Sequence, residues 1–298
     1  MKILVTGATG LVGTALIPKL RAAGHRVVRL VRRNPVSDSD IPWDPNAGKL
    51  DPMSIEGLDA AVHLAGENIA GGRWNEALKK KIRDSRVNGT RLLAETLAQL
   101  KTPPKTLVCA SAIGFYGNRG NEVLTEESPG GSGFLAEVCA DWEKASAPAE
   151  RKGIRTVALR IGVILSREGG ALRKMLPPFR MGLGGVVGSG RQYWSWVSIE
   201  DVCGAILHAL NTPSLKGPVN TVAPQPSTNA EFTRTLGRVL RRPTVLPVPA
   251  FAARLALGEM ADALLLASAR VVPARLTASG YSFRHADLET ALRDLLKK

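Results

Sequence analysis

Ten residues near the start of the chain, Leu4 to Gly13 (LVTGATGLVG), constrain its fold more than any others. A short apolar run, Ile3 to Thr6, precedes the glycines, and a helix-like stretch, Gly13 to Ala23, follows them. Glycines at 7, 10 and 13 in that setting mark the first turn of a βαβ unit. Gly7 permits the tight turn, Gly10 lets the backbone approach a pyrophosphate, and Gly13 lets helix and strand pack closely. The free amides at the helix start then face a phosphate. Thr9, Leu11 and Val12 complete that phosphate-facing loop.

The rest of the first half repeats the alternation. Val27 to Val31, Ala60 to Leu64, Thr106 to Ala110 and Thr156 to Leu165 read as buried strands. Asn75 to Leu100 and Phe134 to Ala147 read as helices between them. Strands alternating with helices imply an α/β fold, a doubly wound parallel sheet with right-handed crossovers. A dinucleotide-binding Rossmann unit over 1–165 and a smaller C-terminal lobe over 166–298 are expected. Part of that lobe, about 200–225, is expected to return to the sheet. The last helix carries Leu288, Ala291, Leu292 and Leu295 on one side.

Composition narrows the function classes. The chain has 298 residues, enough to bury a core without staples, and its three cysteines form no C-x-x-C pair. That argues against a disulfide framework and against a metal site. No signal-peptide core and no uncharged run of membrane length occurs, so a cytoplasmic protein without a membrane partner is expected. The formal charge of +14 attracts phosphates of any kind. With aromatics at only 5% and no stacking platform, nucleic acid is disfavoured as the partner. A small-molecule substrate is expected, and a monomer and a homodimer both remain open.

The second strand decides between the dinucleotides. An NAD site places a carboxylate at the strand's end to bind the ribose 2′-hydroxyl. Here the strand ends Val31-Arg32-Arg33, and no acid follows until Asp38. Arg32 and Arg33 can form charge-assisted bonds to a 2′-phosphate. NADP(H) is therefore expected over NAD(H).

The T-G-x-x-G-x-x-G spacing resembles the short-chain dehydrogenase/reductase superfamily, in its extended epimerase/dehydratase branch. AAVHLAG (Ala60 to Gly66), SAIGFYG (Ser111 to Gly117) and WVSIEDV (Trp196 to Val202) resemble that branch's later signatures. FLAEVCADWE, LPPFRMGLGG and RVVPARLTASGYSF resemble a narrower group, labelled nucleoside-diphosphate-sugar epimerase or cell-division-inhibitor-like protein. The resemblance implies that Leu64, Ala65 and Gly66 lie along the cofactor and that Arg86 falls near it, where many relatives carry asparagine. It also implies a sugar nucleotide or a carbonyl compound as substrate.

The resemblance exposes a gap. Hydride-moving relatives keep a hydroxyl residue and a Tyr-x-x-x-Lys pair, whose lysine lowers the tyrosine pKa. Aligning the following glutamate on Glu143 puts Leu135 at the tyrosine position and Cys139 at the lysine position, and Ala112 at the hydroxyl position. An NADP(H)-binding oxidoreductase or sugar-nucleotide-epimerase-like protein with a non-standard acid/base is expected; the alternative is a catalytically silent NADP(H)-binding sensor or partner-docking protein. Candidates for the chemistry are Tyr116, at the carboxyl end of the fifth strand, Glu137 and Ser111. On the substrate side the candidates are Glu67, Arg191 to pair with a phosphate and Trp194 to stack on a base. His63, inside a strand, reads as a core histidine.

Overall fold

The computed structural model describes residues 1–297. Its main sheet is built from β1 (Lys2–Thr6), β2 (Arg26–Val31), β3 (Asp40–Pro42), β4 (Ala60–His63), β5 (Thr106–Ala112), β6 (Arg155–Ile161) and β7 (Gly217–Thr221). The strands lie in the order β3-β2-β1-β4-β5-β6-β7. Every neighbouring pair is parallel. The chain winds outward from β1 in one direction, then returns and winds the other way. The crevice at this reversal opens beyond the carboxyl ends of β1 and β4, where open sheets bind ligands.

The longer helices are α1 (Leu11–Ala22), α2 (Glu76–Gln99), α3 (Phe134–Lys144), α4 (Gly170–Arg180), α5 (Ile199–Asn211), α6 (Asn229–Leu240), α7 (Ala250–Leu257) and α8 (Leu288–Leu296). Both sheet faces are covered, which is why the strands read as unbroken apolar runs. Ile3 and Val5 pack toward α1 and α5 with Leu16, Leu20, Val202 and Ile206. Leu4, one residue out of phase, packs to the other face with Val28, Leu107 and the α2 residues Leu93 and Leu97. Each such buried aliphatic side chain stabilises the sheet by about 1.5–3 kcal/mol. The start of α2 is fixed by Asn75, whose side chain accepts the Leu78 N–H at 2.8 Å.

Two elements differ from the sequence expectation. The run Thr156 to Leu165 is not one strand. β6 stops at Ile161, and Val163–Leu165 leaves the sheet to pair in parallel with Trp196–Ser198. The break is at Gly162, where a Cβ would lie 2.3 Å from the Ser195 carbonyl oxygen. Only glycine admits that approach. The edge strand β3 has no apolar alternation to announce it; Asp40 is held there by Arg29, at 2.6 Å.

The C-terminal lobe has its own core, including Leu172, Phe179, Trp196, Phe232, Leu288 and Leu292. It is also tied back to the sheet. α5 covers one face, and β7 adds to β6. Asp201 on α5 accepts hydrogen bonds from Arg284 N (2.7 Å), His285 N (3.0 Å) and the Tyr281 hydroxyl (3.1 Å), which docks the final segment. Among the described residues no helix is long and apolar enough to cross a membrane, and no cluster of three metal-ligating side chains occurs.

Candidate functional site

The crevice is shaped first by a threonine. Thr6 ends β1, and its Oγ1 accepts the N–H groups of Leu64 (3.0 Å) and Ala65 (3.1 Å). With two bonds accepted, the hydroxyl proton goes to His63 Nδ1, 2.8 Å away. Burial pushes the His63 pKa down to about 4, so the ring is neutral and structural. The ends of β1 and β4 are thereby locked together.

The glycines divide the work above them. Gly7 sits at φ +65°, and a Cβ on it would lie 2.7 Å from the Leu64 carbonyl. A Cβ on Gly13 would lie 2.3 Å from the Gly7 carbonyl oxygen. These two positions therefore require glycine for the fold itself. Gly10 does not. Its backbone is ordinary and extended (φ −79°, ψ 173°), and its Cβ would touch only the Gly7 oxygen, at 3.3 Å. Its other side, with Thr9, faces solvent. Leu11 and Val12 open α1, whose first turn carries no acidic side chain. The positive end of the helix is left uncompensated for an anion.

At the neighbouring strand end Val31 is half-buried, while Arg32 and Arg33 are exposed and, among the described residues, form no ion pair. The carboxylate next to them, Asp40, is engaged elsewhere. It accepts from Arg29 Nε at 2.6 Å and Val36 N at 3.1 Å. The Arg29 guanidinium holds its pKa below the ordinary carboxylate value.

A buried polar chain fills the carboxyl ends of β5 and β6. Ser111 donates to Glu143 Oε1 at 2.7 Å. Arg160 grips both oxygens of Glu143, with Nε and Nη2 each at 2.8 Å. Arg160 Nη1 also donates to the Tyr116 hydroxyl at 3.0 Å. Its guanidinium carbon lies 3.5 Å from the Phe115 ring centroid. The Tyr116 hydroxyl spends its own proton on Asn220 Oδ1 (2.7 Å) or the Thr125 carbonyl (2.9 Å).

A sequence model of the NAD dependent epimerase/dehydratase family matches residues 3–222. The chain belongs to that family. A second model, a domain of unknown function called DUF1731, matches residues 248–295. The epimerase family protein Mb2239 of Mycobacterium bovis is 46% identical over 290 residues, covering 97% of this chain and 96% of its own length. The crystal structure of the human epimerase family protein SDR39U1 (isoform 2) with NADPH superposes with a TM-score of 0.91. The two share 38% identity over 99% of each chain. The nucleoside-diphosphate sugar epimerase of Corynebacterium glutamicum is 39% identical with a TM-score of 0.81, over 99% of this chain and 58% of that one.

Within this family member the candidate chemistry needs correction. Tyr116 is fully buried. Burial raises its pKa, against the opposing pull of Arg160, and its hydroxyl is consumed by the network. It braces β5, β6 and β7 and has no proton free for a substrate. Glu137 is exposed on α3. It lines a shallow surface cavity of about 450 Å³ with Lys79, Lys80, Arg83, Phe134 and Glu259, none of which belongs to the Ser111 chain. Trp194 is buried, tilted against Phe232, and its Nε1 donates to the Leu265 carbonyl at 3.2 Å. No face of it is open for a base. Arg191 is exposed on the same loop, and its side chain has no charged partner among the described residues.

Leu135 and Cys139 both pack against Gly114, where a Cβ would lie 3.3 Å from Leu135 Cβ and 3.7 Å from Cys139 Sγ. Burial pushes the Cys139 pKa up to about 12, so it is a neutral thiol. The cation beside it comes from α2. Arg86 is half-buried; its guanidinium carbon would lie 3.4 Å from a Cβ on Gly66 and lies 5.1 Å from the Trp142 ring centroid. It donates to its own helix, to Ile82 O at 3.1 Å, and forms no ion pair among the described residues. Burial lowers its pKa; Cys139 and then Glu67 oppose the shift. Glu67 is half-buried, its N–H donating to Ser85 Oγ at 2.9 Å.

Sequence reading missed the Glu143–Arg160 pair. The signal was present: an arginine inside the apolar run VALRIGV demands a buried partner. It also missed that the lobe closes over the crevice. Cβ atoms on Gly169 and Gly170 would lie 3.1 Å and 3.3 Å from Leu11, and Lys174 Nζ donates to Ala70 O at 3.0 Å.

Proposed function

We propose that this chain is an NADP(H)-binding protein of the epimerase family that reduces a carbonyl group, in a carbonyl compound or a sugar nucleotide, without the usual tyrosine acid. One observation carries the cofactor reading. The acid-free helix start at Gly10 lies beside a strand end with two arginines that form no ion pair among the described residues, while Asp40 is neutralised by Arg29. The NADPH in the human relative's crystal structure supports the same reading. Gly7, Thr9, Gly10, Leu11, Val12 and Gly13 hold the pyrophosphate, Arg32 and Arg33 the 2′-phosphate, and Val31, Leu64, Ala65 and Gly66 the adenosine side. Ser111 and Arg86 stand at the nicotinamide end.

The cofactor supplies hydride from nicotinamide C4. The protein's part is to hold the charge that develops on the carbonyl oxygen. Arg86 is half-buried, has no ion pair among the described residues and is adjacent to the vacant lysine position, so it stabilises that oxyanion by charge and hydrogen bonding. It does not protonate it; water supplies the proton. Ser111, its proton committed to Glu143, presents lone pairs and orients the carboxamide or substrate hydroxyl.

Two expected results test this. In fluorescence titrations NADPH binds more tightly than NADH, and Arg32→Asp weakens NADPH by about tenfold or more, the value of one charge-assisted bond. Equal affinities in the wild type overturn the cofactor reading. In a screen of aldehydes, ketones and sugar nucleotides, any turnover falls by about a hundredfold in Arg86→Met, the scale for removing one oxyanion donor. A second reading is favoured by the commitment of Tyr116 and the outward placement of Glu137: a silent NADP(H) sensor. Tight NADPH binding with no turnover across the whole screen selects it.

A further inference from the structure

Two stretches of the chain are basic and free of acidic residues. Residues 169–199 and 232–258 together contain nine lysines and arginines and no aspartate or glutamate. These two stretches meet in the fold. Gly188 N donates to Val248 O at 2.9 Å, Val248 N to Val186 O at 2.8 Å, and Arg242 Nε to Arg180 O at 2.8 Å. A Cβ on Gly182 would lie 3.6 Å from Pro243.

The same zipped segments carry most of the large apolar side chains that the described surface exposes. Met181, Leu183, Val245, Leu246, Phe251 and Leu255 are between 48% and 79% exposed. Phe251 and Leu255 are four residues apart on α7, on one helix face, while Ala253 is turned inward. Arg180, Arg241, Arg242 and Arg254 are exposed around them. Among the described residues, Arg254 alone of these has an acidic partner, Asp262 at 2.9 Å. Single exposed apolar residues are ordinary; six of them on segments zipped together, with exposed arginines interspersed along the same segments, mark an interaction surface.

We propose that this face docks on an anionic phospholipid surface, with Phe251, Leu255, Val245 and Leu246 entering the acyl boundary and the arginines pairing with headgroup phosphates. The charge decides the occupant. A second copy of the chain would set the same arginines against themselves, and a polynucleotide would leave the aliphatic tips uncovered. An interfacial layer that is negative above and apolar below complements both features. The inference is independent of the NADP(H) reading, because Phe251, Leu255, Val245, Leu246 and the four arginines are not among the crevice residues described above.

Flotation of the full chain with vesicles tests it. The protein is expected to float with phosphatidylcholine vesicles containing phosphatidylglycerol, and to remain behind with phosphatidylcholine alone. Arg241→Gln with Arg242→Gln should weaken partitioning by about twentyfold, and added salt should do the same. Phe251→Ser with Leu255→Ser should weaken it by about tenfold or more. These side chains are solvent-exposed, so far-ultraviolet dichroism and NADPH affinity should stay unchanged and report an intact fold. No flotation at low ionic strength overturns the proposal. So does flotation that the Phe251/Leu255 variant leaves intact, because the contact is then only electrostatic. A dimer in size-exclusion chromatography that this variant dissociates makes a second copy the occupant and also overturns it.

Discussion

Gly10→Val is expected to weaken NADPH binding by about a hundredfold or more while leaving the fold intact. The size follows from losing two amide-to-phosphate bonds, each worth about 1.5–3 kcal/mol when the acceptor is charged. The specificity of the effect follows from local geometry. Gly10 has an ordinary extended backbone, and a Cβ there touches only the Gly7 oxygen, at 3.3 Å. A branched side chain therefore points outward, into the space that the proposed pyrophosphate needs. Gly13→Val should behave differently. Its Cβ would press to 2.3 Å from the Gly7 oxygen, so turn and helix must separate and stability falls together with binding. Fluorescence titration with a parallel thermal melt distinguishes the two variants. Normal NADPH affinity in a folded Gly10→Val protein would mean that the phosphates lie elsewhere.

That contrast shows what was legible in the sequence. The three glycines, the βαβ alternation and the arginines after β2 are local signals, each carried by a few adjacent residues. Local signals sufficed for the doubly wound sheet and for the crevice at its reversal. The misreadings were of another kind. Tyr116 looked available because it sits at the carboxyl end of β5, where ligands bind. Its burial depends on Arg160, 44 residues further on, and on Asn220, 104 residues further on. Trp194 looked like a stacking platform, but Phe232 and Leu265 from later segments cover it. The split of β6 at Gly162 depends on Ser195 approaching its Cα. A side chain's type is local, whereas its freedom is settled by residues far away in the chain, and catalysis depends on that freedom.

The Glu143–Arg160 pair is expected to be a main support of the site, and Arg160→Leu to be among the most destabilising single changes. Arg160 is buried to 4% exposure and satisfies Glu143, Tyr116 and the Phe115 face together. Removing it strands the Glu143 carboxylate and takes the donor from Tyr116. Breaking a buried pair from one side costs about 3–5 kcal/mol. The 17% exposure of Glu143 lets some water in and places the expectation at the lower end. A domain of this size loses roughly 2–4 °C per kcal/mol, so the midpoint should fall by about 10 °C. Tyr116→Phe keeps the pair and removes one hydroxyl, and should cost only about 1–3 kcal/mol. Glu143→Leu combined with Arg160→Leu should recover part of the loss, because no lone charge is then left inside. Thermal and urea unfolding followed by tryptophan fluorescence measure all three, and NADPH titration of the surviving folded variants runs alongside. If Arg160→Leu unfolds at the wild-type midpoint, the network is not a support, and Tyr116 returns as a candidate acid. If Tyr116→Phe lowers stability while leaving any turnover unchanged, the tyrosine's place is in the scaffold, and the oxyanion charge falls to Arg86.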